Sequence, residues 1–76
     1  MAERFFVILV PSTSHALVGE KILRRSEIEV KLIPVPRHLS SDCGMGLKIP
    51  RPHAEKALSV LRSKGIAVEG CYPFEP

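Results

Sequence analysis

Tryptophan is missing from this 76-residue chain, and its aromatic residues are three phenylalanines and one tyrosine. Any core it builds must therefore be aliphatic. Cysteine occurs only at Cys43 and Cys71, with no Cys-x-x-Cys pair and no Cys/His spacing of the zinc type. The two could form one disulfide, which a reducing cytosol disfavours. His15, His38 and His53 are spread along the chain without a repeat, so no metal site and no bound cofactor are expected. Paired carboxylates that would suggest glycosidic or proton-transfer work and a P-loop are also absent. No apolar run approaches the ~20 residues that cross a bilayer. The longest, Phe5 to Val10, stops at Pro11 and lacks the basic region and cleavage site of a signal peptide. The expectation is a cytoplasmic chain with no membrane association.

Charge of one sign is also scarce. The formal net charge is +3, and Arg24-Arg25 is the only adjacent basic pair. Nucleic-acid binders concentrate their basic residues in a stripe with aromatics interleaved. Here Phe5, Phe6, Tyr72 and Phe74 lie in strand-like runs with no RNP motif, so nucleic acid is not an expected partner.

What remains is enough for one small domain spanning residues 1–76. A chain of this size buries only about 60% of its unfolded surface, so the core is thin. Arg4 to Val10 is apolar and rich in β-branched and aromatic residues, which predicts a strand buried on both faces or nearly so. Pro11 ends it. Ser12, Thr13 and Ser14 then offer N-cap oxygens for a helix reaching about Ser26. Ala16, Val18, Gly19, Ile22 and Leu23 share its apolar side, and Gly19 marks a close approach between helix and sheet. Glu29 to Pro36 reads as a second strand, with Val30, Leu32 and the prolines on one face. Pro34 and Pro36 are two apart, so their missing N–H groups lie on one side. This predicts an edge strand.

Arg37 to Gly46 reads as a polar loop and Leu47-Lys48-Ile49 as a short third strand. Pro50 and Pro52 bracket the start of a second helix. Ala54, Ala57, Leu58 and Leu61 form its apolar stripe, and Gly65 stops it. Ile66 to Tyr72 is the expected last strand, followed by a tail. The order βαββαβ predicts an α+β, ferredoxin-like fold, a four-stranded antiparallel sheet with two helices on one face. Its strand order, 4-1-3-2, puts the second strand at an edge.

That topology brings the Ser40–Gly46 loop and the Ser12-Thr13-Ser14-His15 helix start to one end of the molecule. Free N–H groups and the positive end of the helix dipole lie there, a setting that favours a thiolate at Cys43. Arg37, His38 and Lys48 would add positive charge, and Gly44 would let the backbone turn sharply. Each residue also has a plainer reading. Cys43 could be a small buried hydrophobe, Ser12 to Ser14 a helix cap, His15 an exposed first-turn residue, and Arg37 a solvated charge beside an edge strand. Cys71, inside the last strand, reads as core packing.

Pro36-Arg37 followed by Ser40, Ser41 and Cys43-Gly44 resembles the selenium/sulfur (Se/S) carrier protein-like family. The likeness extends over nearly the whole chain. The resemblance implies that Cys43 carries sulfur or selenium as a persulfide or selenosulfide, a carrier rather than an enzyme. Donor and acceptor proteins would then be its partners. One departure is the first helix ending in Arg25-Ser26-Glu27, where a glycine turn is more usual. The alternative is a non-catalytic ferredoxin-like module that binds a small anion or a protein, with a homodimer among its forms.

Overall fold

The computed structural model of the chain describes residues 5–35 and 45–74. Four strands and two helices follow in the order β1 (Phe5–Leu9), α1 (Thr13–Arg25), β2 (Lys31–Pro34), β3 (Met45–Pro50), α2 (Ala54–Ser63) and β4 (Gly70–Phe74). A single 3-10 turn over Arg51–His53 leads into α2. All strand pairs are antiparallel, and the sheet order is β2-β3-β1-β4. This is the ferredoxin-like α+β arrangement, and β2 takes the edge position expected of a strand that contains Pro34.

Register decides which residues reach the helices. Ile8 lies opposite Leu47 on one side and Cys71 on the other, while Val7 lies opposite Lys48 and Tyr72. Ile8, Leu47 and Ile49 face α1 and α2 and form one core with Ala16, Leu23, Ala57 and Leu61. Each such aliphatic side chain contributes about 1.5–3 kcal/mol by leaving water. Val7 and Leu9 point to the opposite face and are also buried, so β1 is covered on both sides, as its unbroken apolar run predicts. A methyl group placed on Gly19 would come within 3.0 Å of Leu47 Cδ1 and 3.4 Å of Leu61 Cδ2. The missing side chain lets α1 settle against both β3 and α2.

Three expectations need correction. Val18 is 47% exposed, not part of the buried stripe; the stripe narrows to Ala16, Gly19 and Leu23. The third strand is longer than Leu47-Lys48-Ile49, because Met45 and Gly46 already pair with Pro34 and Ile33. The last strand begins at Gly70, not Ile66. The amide of Ile66 is taken by Leu61 O at 2.9 Å, closing α2, and Ile66 and Val68 pack on the core without pairing. Pairing with β1 then runs from Leu9↔Gly70 to Phe5↔Phe74. The expected tail residues Pro73 and Phe74 are thus strand residues, and Pro73 is tolerated because β4 is the other edge.

Candidate functional site

Helix α1 opens on Ser12, whose extended backbone (φ −151°, ψ 166°) places its side chain to cap the first turn. Its Oγ accepts the backbone N–H of His15 at 3.3 Å and lies 2.7 Å from His15 Nδ1. The Ser12 Oγ–His15 Nδ1 hydrogen bond takes its direction from the imidazole tautomer. Ser12 and His15 are therefore locked to each other. His15 is half-buried, not the exposed first-turn residue that its position suggests. Thr13 and Ser14 are exposed. The first turn of α1 carries no acidic residue, so no side chain of that turn offsets the positive end of the helix dipole.

The register Leu9↔Gly46 and Pro34↔Met45 puts the end of β1, the end of β2 and the start of β3 at one end of the sheet. Helix α1 begins at that same end, four residues after Leu9. The segment joining β2 to β3 thus has both its attachment points beside the start of α1, as the topology predicts. Four expected site residues, Arg37, His38, Cys43 and Gly44, lie outside the described residues.

Lys48 does not belong to that end. Its Nζ sits 4.4 Å from the centroid of the Phe5 ring, and Phe5 is the first residue of β1, about 13 Å of strand away from Leu9. Packing on Phe5 draws the Lys48 ammonium toward the start of β1; Cys43, beside which Lys48 is expected to add charge, lies outside the described residues.

Cys71 is half-buried against the core, opposite Ile8. Burial pushes its thiol up from the ordinary value, so it stays protonated at neutral pH and is a poor nucleophile. It borders a groove of about 340 Å³ with Phe6, Arg51, Pro52 and Leu58, which sequence reasoning missed. Pro52 lies in the 3-10 turn before α2 and lines the groove. A shallower hollow is formed by Ser14, His15, Val18 and Ile66. Among the described residues no three His, Cys, Asp or Glu side chains converge in a way that could hold a metal ion.

No curated protein and no solved structure matches the chain. A family model does match, and it spans residues 5–73, from the first residue of β1 to the penultimate residue of β4. On that match the chain belongs to the family described as "Putative Se/S carrier protein-like".

Proposed function

We propose that residues 1–76 act as a single thiol-based carrier domain that holds sulfur or selenium on Cys43 and works in the reducing cytoplasm. The observation that carries this reading is that Pro34 and Met45, the described strand residues on either side of residues 36–44, lie at the end of the sheet where α1 begins. Cys43 is two residues before Met45, so chain length alone keeps its Cα within about 7 Å of that anchor. The family match supports the same cargo.

The chemistry is an exchange that needs no net oxidant. The Cys43 thiolate attacks the terminal sulfur of a donor protein's persulfide. A new S–S bond forms on Cys43, the donor's S–S bond breaks, and the donor leaves as a thiolate with the electron pair. A selenosulfide donor would pass its terminal selenium in the same way. Transfer to an acceptor repeats the step in the opposite sense, so the protein carries cargo without turnover of its own. In this reading Arg37, His38 and the N–H groups of Thr13 and Ser14 stabilise the anion, Ser12 holds His15 in place beside them, and Gly44 shapes the turn.

A second reading, a non-catalytic binding module, is favoured by Leu17 and Val18, which are 48% and 47% exposed on α1 and offer an apolar contact surface. The deciding experiment measures the pH dependence of Cys43 alkylation in a Cys71→Ser background, followed by intact mass after incubation with a persulfide donor. Reactivity well below the reference pKa of ~8.5 and a gain of one sulfur atom are expected. An ordinary thiol that never takes up sulfur would overturn the carrier reading. Cys43→Ala separates the two readings further, since it abolishes loading but leaves a pure binding surface intact.

A further inference from the structure

Far from the α1 terminus, where β1 starts and β3 ends, lies a groove of about 330 Å³. Phe5, Val30 and Pro50 are its apolar lining residues, and Lys31 and Lys48 stand with Glu29 and with Arg24, which is paired to Glu20. Lys31 and Lys48 are direct cross-strand partners of β2 and β3, so both side chains leave the same face of the sheet side by side. Like charges in this position destabilise a sheet. Neither lysine has an ion-pair partner among the described residues, where the one salt bridge is Arg24 to Glu20 at 3.1 Å. Lys48 is instead held over the Phe5 ring, a contact that fixes its ammonium without neutralising it.

Two neighbouring lysines without ion-pair partners, in a groove whose lining mixes charged and apolar residues, form an arrangement that an anion would relieve. We infer that this groove binds a phosphorylated organic ligand. The phosphate is held by the ammonium groups of Lys31 and Lys48, and the organic part lies against Phe5 and Pro50. The volume is at the lower end of small-molecule sites, about 300–1,000 Å³, which suits one ring system with its phosphate. A free mononucleotide and the phosphorylated 5′ end of an RNA strand present the same chemistry. The groove uses none of the residues proposed to carry sulfur and lies at the opposite end of β1 from Leu9 and Gly46.

The test follows backbone amide shifts by NMR during titration with inorganic phosphate, AMP and a short 5′-phosphorylated oligouridylate. Shifts centred on Phe5, Lys31 and Lys48 are expected, with one of the two organic ligands binding more tightly than phosphate. Which of the two is tighter identifies the source, and either supports the site. Lys31→Thr should weaken binding by about tenfold, the loss of one charge-assisted contact. The same substitution should raise Tm without ligand, because it removes the repulsion, so lost binding cannot be blamed on lost folding. Cys43→Ala should bind as the parent does, which keeps this result separate from the carrier reading. Shifts spread over the whole surface, phosphate binding as tightly as both organic ligands, or unchanged affinity in Lys31→Thr would each overturn the proposal.

Discussion

From Leu23 the chain reads Leu-Arg-Arg-Ser-Glu-Ile, and from Leu61 it reads Leu-Arg-Ser-Lys-Gly-Ile. The two stretches close α1 and α2 with the same hydrogen bonds. Ile28 N donates to Leu23 O at 3.0 Å and Glu27 N to Arg24 O at 3.0 Å; Ile66 N donates to Leu61 O at 2.9 Å and Gly65 N to Arg62 O at 3.1 Å. Each is a Schellman turn, with a leucine and an isoleucine meeting across it. They differ at the left-handed position. Gly65 takes φ 77° there without cost, whereas Glu27 is held at φ 61°, a conformation that costs a residue with a Cβ about 1–2 kcal/mol. The comparison teaches that the apolar bracket sets this turn: where Leu23 and Ile28 are both buried, glycine can be dispensed with. The helix starts differ in the reverse sense, because α1 is capped by the Ser12 side chain while His53 makes no side-chain cap bond to α2.

The largest effect should come from removing the brackets. Leu23→Ala and Leu61→Ala each empty a fully buried position and should lower stability by about 2–5 kcal/mol in urea denaturation; a loss below 1 kcal/mol at either would break the comparison. Exchanging the left-handed residues sharpens it. Gly65→Ala should destabilise by about 1 kcal/mol and Glu27→Gly should stabilise by a similar amount, so the two must differ in sign. At the helix starts, Ser12→Ala should cost about 1 kcal/mol and release His15, a change visible in the imidazole NMR shifts, whereas His53→Ala should leave stability almost unchanged.

The closing strands of the two halves give a smaller, pH-dependent contrast. Leu32 in β2 and Cys71 in β4 both pack partly against the core, but only Cys71 titrates. Its folded thiol holds its proton to higher pH than the unfolded thiol. Stability should therefore fall as pH rises past the unfolded value of ~8.5, where the unfolded chain binds fewer protons. Cys71→Ala should flatten that decline in a urea series. Least of all, Glu20→Ala should cost no more than about 0.5 kcal/mol, because its bond to Arg24 is a solvent-facing pair one helical turn apart.

Much of this architecture can be read from particular residues. Pro34 and Pro36 require an edge, Gly19 announces close packing, and the three residues after Pro11 announce a helix start. Each is a local constraint with few structural solutions. Glu27 is less legible, because its backbone is imposed by two buried side chains on either side of it. The start of β4 is hidden for a related reason: Ile66 and Val68 have strand-forming character, yet one is spent closing α2 and both on filling the core. At the candidate site, the Ser12 cap follows from residue type. Its bond to His15 and the departure of Lys48 toward Phe5 depend on which way side chains turn, and no spacing rule encodes that. The resemblance at Pro36-Arg37 and Cys43-Gly44 pointed to the family that the match over residues 5–73 shows.

Both outer strands of the sheet contain a proline, Pro34 in β2 and Pro73 in β4. A strand approaching either margin meets a position with no donor to offer, so the backbone ladder is hard to prolong from one copy to the next. At high concentration the chain should therefore resist ribbon-like polymerisation. Contacts with another protein are then expected from side chains on the faces and ends rather than from a shared sheet, the kind of contact that forms and parts quickly.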